Sequence, residues 1–349
     1  MKGLDIEFPN GSTIVADSGH VAEDIVLREG TEIIADTIEI GQGVRIGAHS
    51  KIHAENIRIG MKSRIGDFFT FHLGSSKVPE SFMVGDFTTF AGNIKMRLPR
   101  LSIGDYGSVN DHLSVWGSDA CVIGHNFWIG QWTILNTRKE LRIGNNCRLG
   151  HHSQFWTHVA SGEMLEGCEL FNEKELVIED DVWMIGGHHI VPSGIVIGKK
   201  ATILPGAMLT ANAEPGHCYA GVPAKDITTK YDPYRKITPD EKFEMMKGFV
   251  AEFLKKRPEY RDRILVNDTI AEVDIPSHDG EIIMICMDHT LDHIPENISI
   301  FNISTKEYSK RRSEIEETFN RFIIGHRARF TPMDDQKNMQ RTVKKDDRY

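Results

Sequence analysis

An aliphatic or aromatic residue, usually followed by glycine, recurs every six positions over most of the first two thirds of the chain. The run reads Ile40-Gly41, Ile46-Gly47 and Ile52, then Ile59-Gly60, Ile65-Gly66 and Phe71. It continues through Val84-Gly85 and Phe90, then Ile103-Gly104, Val109 and Val115, Ile123-Gly124, Ile129-Gly130 and Leu135, and Ile143-Gly144, Leu149-Gly150 and Phe155. The last steps are Ile178, Met184 and Ile190, followed by Ile197-Gly198, Ile203 and Leu209. An amphipathic helix needs a period of 3.6 and a half-buried strand needs strict alternation, so neither fits. Six residues per step, taken in threes, describe a triangular coil of about 18 residues per turn, apolar residues inside and small ones at the corners. Residues 72–83, 91–102 and 158–177 interrupt the period. Insertions in a solenoid become surface loops, often on the binding face. The longest begins at His158.

The architecture changes after residue 229. Thr238-Pro239-Asp240-Glu241 has the form of a capping box with proline at the first helical position. Phe243, Met246, Phe249, Val250, Phe253 and Leu254 then make one apolar stripe at helical spacing. The stretches EIIMICM and ISIFNIS predict strands, and 305–323 predicts a charged helix ending near Gly325. The expected organisation is a solenoid over 1–229, a small α/β domain over 230–333, and a charged, mobile tail over 334–349.

Bulk properties exclude several classes. A net charge of −9 and a pI near 6.0 carry no basic footprint for nucleic acid. No apolar run approaches the roughly 18 residues of a bilayer-spanning helix. The opening MKGLDIEFPNGST lacks the pattern of a signal peptide, which points to a cytoplasmic chain. Five widely spaced cysteines without a CxxC pair argue against disulfides and a structural zinc site.

Histidines mark the candidate chemistry. His151 and His152 fall two and three places after inward-pointing Leu149, and His112 three places after Val109. His188 and His189 follow Met184 by four and five places. Solvated or stacked corner residues account for any of these. His158, three places after Phe155, stands at the mouth of the long insertion, where a ligand has access.

Segments RIGNNCRLGHHSQFWTHV, LVIEDDVWMIGGHHIVPSGIVIG and YAGVPAKDI resemble the maltose and galactoside acetyltransferases of the hexapeptide-repeat acyltransferase family. Thr157-His158, Asp181-Val182-Trp183 and the closing Gly221-Val222-Pro223-Ala224-Lys225 carry the match. The resemblance covers roughly 120–228 closely and 20–119 only as generic repeat. It implies a left-handed parallel β-helix, a homotrimer with sites between neighbouring coils, and acetyl-CoA as acyl donor with no metal. The implied acceptor is a hydroxyl or amine of a sugar or nucleotide-sugar. His158 would be the general base, a role suited to a side chain with an ordinary pKa near 6.5. Trp183, Gly186, Gly187, Pro205, Thr210 and Lys225 would line the coenzyme groove, with Lys199 and Lys200 near its phosphates. Gln131, Asn136 and Glu166 would meet the acceptor. Gln131 stands in place of the family's asparagine amide, Val159 replaces a proline, and Leu204-Pro205-Gly206 replaces Gly-Ala-Gly. The insertion also carries Glu163, Glu166, Glu169, Glu173 and Glu175; the residues themselves leave open whether one of them orients the imidazole or stabilises its cationic form, or whether they only make a solvated acidic loop.

Two other readings compete. A metal-dependent protein resembling the γ-class carbonic anhydrases would need three histidines converging on zinc from two chains; His151, His152 and His158 offer the number but not that family's long-then-short spacing. A non-catalytic trimeric scaffold would use the solenoid only as a surface, and would have no need of Trp183 or the GVPAK segment.

Overall fold

The structure, a computed structural model, describes residues 3–72, 77–160, 162–276 and 280–333. The proposed tail, 334–349, lies outside them. The chain divides into two compact units, 1–233 and 234–349.

The first unit is a parallel β-helix with three faces. On face I, Ile14, Ile33, Ile52, Phe71, Met96 and Val115 stack in register, followed by Leu135, Phe155 and Val191. Face II stacks Ile40, Ile59, Val84 and Ile103, and continues to Ile197. Face III runs from Leu27 through Ile46, Ile65 and Phe90 to Ile203 and Tyr219. These side chains fill the prism and are almost entirely buried. Thr13–Val21, Glu32–Ile40 and Lys51–Ile59 are nine-residue strands that pass from face I to face II without a break. At the first end, Leu4–Glu7 runs antiparallel to Thr13–Ala16. At the other, Lys225-Asp226 runs antiparallel to Tyr219-Ala220.

Each regular coil takes 19 or 20 residues, one or two more than the expected 18. The additional residues lie in the corners, where a left-handed backbone position turns the chain. Lys62, Phe87, Tyr106, Asn126, Asn146 and Asp181 hold it between faces II and III. Residues 91–102 do not interrupt the coil as the sequence suggests. Met96 keeps the six-residue spacing from Phe90, and Lys95–Arg97 pairs in parallel with Ser114–Trp116. Phe71 and Met96, stacked on face I, are 25 residues apart, and Phe155 and Val191 are 36 apart; in both cases the chain leaves face I and rejoins face II, at Ser81 and at Leu176.

The corner between faces II and III is held by a column of side-chain acceptors. Asp86 Oδ1 accepts from the Met61 N–H one coil below, Asp105 from Asp86 N–H, His125 Nδ1 from Asp105 N–H, Asn145 from His125 N–H and Asp180 from Asn145 N–H. The distances are 2.7–3.0 Å. Backbone bonds from coil to coil continue at this corner through the left-handed residues, as from Phe87 N–H to Met61 O and from Tyr106 N–H to Asp86 O, and the side chains pair the neighbouring N–H groups that burial would otherwise strand.

In the second unit, Ile264–Val266, Ile282–Cys286 and Ile298–Asn302 form a parallel sheet. The helix Pro239–Lys256 carries the expected capping box and buries Met246, Val250 and Phe253. The helix expected over 305–323 is shorter, Glu314–Ile323, because Ser313 caps it there. Residues before it turn, with Asn302 Oδ1 accepting from the Ser304 and Thr305 N–H groups, and add the strand Glu307-Tyr308. Burial pushes the thiols of Cys121 and Cys147 up to about 12, and all five cysteines are unpaired. No helix among the described residues is long and apolar enough to cross a membrane.

Asn145→Ala removes the acceptor for the N–H of His125, a residue 1% exposed. We expect a loss of roughly 1–3 kcal/mol in chemical denaturation, the cost of a stranded buried donor. An unchanged midpoint would show that the column does not support the corner.

Candidate active site

Three successive coils meet at the corner between faces I and II and bring Trp116, Asn136 and the Trp156-Thr157-His158 segment together. Face I ends in the strands Ser114–Gly117, Ile134–Thr137 and Gln154-Phe155, paired in parallel. Beyond the last of them the chain leaves the prism as a β-hairpin. His158–Ala160 runs antiparallel to Phe171–Glu173, and His158 faces Glu173. The insertion is therefore partly a paired strand rather than an aperiodic loop.

The orientation of the His158 ring follows from Asn136. Asn136 is completely buried. Its Oδ1 accepts from the backbone N–H groups of Arg138 and Thr157 and from the Thr157 hydroxyl at 3.0 Å. Its Nδ2 donates to Trp116 O at 3.2 Å. Those donors fix which amide atom is oxygen, so the 2.8 Å contact with His158 Nδ1 requires an Nδ1–H donor. The neutral ring then carries its lone pair on Nε2. The indoles of Trp116 and Trp156 stand edge-on to the half-buried imidazole, each with ring centroids 6.1 Å away. Trp116 is 37% exposed and gives the corner an aromatic wall.

Asn136, expected to touch the acceptor, bonds His158 Nδ1 through its Oδ1. Its amide is buried, with Oδ1 taking these bonds and Nδ2 bonded to Trp116 O. Glu166, also expected at the acceptor, lies in the insertion. It ends the short turn Met164–Glu166 at the hairpin tip and is exposed. Among the loop carboxylates the hairpin register brings Glu173 opposite His158. Glu173 accepts from Arg138 at 2.8 Å, and that bond is the main cause holding its carboxyl below the usual range. Sequence reasoning included Glu173 among five candidates without distinguishing it, because only the strand pairing selects one.

Gln131 lies at a different corner, between faces III and I, where its carbonyl accepts from the His152 N–H at 2.9 Å. Of the residues expected to line the coenzyme groove, Trp183 and Lys225 lie exposed on face III. Gly186, Gly187 and Pro205 follow at the corner between faces III and I. Gly187 must lack a side chain, since a Cβ there would sit 2.1 Å from His151 O. Thr210 follows face I, at the corner that also carries His158. Within one chain the expected groove residues therefore lie on face III, at the corner between faces III and I, and, for Thr210, at the separate corner between faces I and II. His158 is also separated from His151 and His152 by the width of face I, so those three do not converge in one chain.

The other histidines form a corner stack. His112 lies on Trp132 with ring centroids 4.0 Å apart, and Trp132, His152 and His188 continue the column. Their shared left-handed turn position places them one above another. His189 points inward instead. It is completely buried, with Nδ1 2.9 Å from Ser153 Oγ.

No family model matches the chain. A 71-residue segment, 20% of the chain, is 38% identical to 2,3,4,5-tetrahydropyridine-2,6-dicarboxylate N-acetyltransferase of Staphylococcus aureus, of which it spans 29%. A maltose O-acetyltransferase from Clostridium difficile is 25% identical, covering 33% of this chain and 65% of that one, with a TM-score of 0.28. A hexapeptide-repeat acetyltransferase from Vibrio cholerae, solved with acetyl-CoA, is 16% identical over 61% of this chain and 68% of that one, with a TM-score of 0.21. All three are acetyltransferases, the class that the repeat and the closing motif resemble.

Burial lowers the pKa of His189 to about 4, against an ordinary value of 6.5. Above pH 6.5 neither the folded nor the unfolded form is protonated. As pH falls from about 6.5 to about 4 the unfolded chain takes up a proton that the folded chain does not, so stability falls, by at most about 1.4 kcal/mol per pH unit. His189→Asn should flatten that part of the stability profile measured by urea denaturation. An unchanged slope would assign the acid sensitivity to other groups.

Proposed function

We propose that this chain transfers an acetyl group from acetyl-CoA to a hydroxyl or amine of a sugar or nucleotide-sugar, with His158 as general base. In this reading the coil is left-handed, the assembly is a homotrimer, and the coenzyme groove completes itself against the neighbouring coil. The carrying observation is the His158–Asn136 bond, which leaves Nε2 as the proton acceptor. The relative matched over 71 residues, an acetyltransferase, supports the reaction class. Trp116 supports a sugar ring, because an exposed indole suits its C–H face.

The acceptor O–H or N–H gives its proton to Nε2 as its oxygen or nitrogen bonds to the thioester carbonyl carbon. The tetrahedral intermediate then expels the coenzyme A thiolate. The imidazolium returns the proton to that sulfur, which regenerates neutral His158 and releases coenzyme A as a thiol. Throughout, Asn136 keeps Nδ1–H in place without itself titrating. An amide in this position orients the ring but gives the imidazolium no full counter-charge, unlike the aspartate of a serine-protease triad.

His158→Ala should lower kcat by roughly 10²–10⁴-fold, the usual contribution of a positioned base. Acetyl-CoA should still raise the melting temperature of the variant, since ligand binding to the folded state stabilises it by mass action. Full activity in the variant would refute the assignment of the base. No thermal shift of the wild type at millimolar acetyl-CoA would refute the donor.

A further inference from the structure

The corner stack accounts for His112, Trp132, His152 and His188, but not for His151. That ring stands nearly perpendicular to His152 and His188, at 87° and 83°. Its Nδ1 lies 2.9 Å from Nδ1 of His152. We propose that His151, His152 and His188 form a binding site for a divalent zinc ion, separate from the transfer chemistry at His158.

The geometry carries the proposal. The three ring centroids make a nearly equilateral triangle with sides of 5.1, 5.4 and 5.0 Å. Zinc binds imidazole nitrogen at about 2.0–2.1 Å, and a nitrogen lies roughly 1.1 Å from its ring centre, so three tetrahedral imidazoles place their centroids about 5.2 Å apart. Each residue offers a nitrogen within 4.8 Å of the others. The backbone holds the triangle in place. His188 N–H donates to His151 O at 2.9 Å, and Gly187 permits this approach because a side chain there would strike His151. His152 and His188 are exposed, so an ion held by three rings keeps a fourth position open to water or a small anion. Three neutral nitrogens without a carboxylate suit a borderline ion such as zinc rather than magnesium or calcium.

The test uses the full-length chain, stripped with chelator, titrated with zinc chloride by calorimetry and followed by thermal melting. Wild type should bind one zinc ion per chain and melt at a higher temperature with zinc. His188→Ala should weaken that binding at least about tenfold, while His112→Ala, in the same column but outside the triangle, should bind as wild type does. Both variants should melt as wild type does in chelator, which separates ligand loss from misfolding. A His188→Ala variant destabilised in chelator is replaced by His151→Asn, which keeps a small polar group at the corner and should show the same weakening. Absence of zinc binding by wild type, or binding unaffected by His188→Ala and His151→Asn, would overturn the site.

Discussion

The hydrogen bond from a corner N–H to a side chain one coil above is the interaction on which the prism rests. Parallel sheet bonds hold the faces together, and at the edge between faces II and III one backbone N–H per coil still bonds the coil below, as Asn126 does to Asp105 O. Asp86, Asp105, His125, Asn145 and Asp180 pair the N–H groups beside them. Each acceptor needs the coil above at the right height and rotation, so the column sets the stacking that the buried Ile, Val and Phe side chains then fill.

That column also explains where the chain is free to grow. Both insertions leave from the edge between faces I and II, away from the column, and the coils on either side still pair in register. A hairpin there costs the prism little. Its entry point lies beside the last residues of two earlier coils, so an outgoing histidine meets Asn136 and Trp116 without any dedicated scaffold. The candidate base is half in the solenoid and half in the insertion. Its orientation comes from the rigid part and its access from the other.

The six-residue period made the three faces legible, and the capping box made the first helix of the second unit legible. Coil length was less so, because the additional corner residues carry no apolar signal. This matters for Asn136. It lies 22 residues before His158, and only a coil of 20 places it beneath Trp156, next to the segment that ends in the histidine. Counted in steps of six, it is one more polar residue after a buried leucine. The position of His158 at the start of the insertion was legible. The distinction between Glu173 and Glu166 was not, since a run of acidic residues gives no hairpin register. The triangle of His151, His152 and His188 joins residues 36 or 37 positions apart in sequence, across a coil lengthened by that same hairpin.

The short antiparallel strands at the two ends of the β-helix have a consequence for self-association. A parallel coil ends in unpaired edges shaped to receive another coil running the same way, so a bare solenoid is a template for its own extension into a fibre. Here Leu4–Glu7 covers part of face I at one end and Lys225-Asp226 part of face III at the other, each running against the coil direction. A second molecule meeting either strand finds the wrong polarity for continuing the spiral. Reversal of a few residues at each end therefore limits the growth of the stack, much as a terminator limits a polymer.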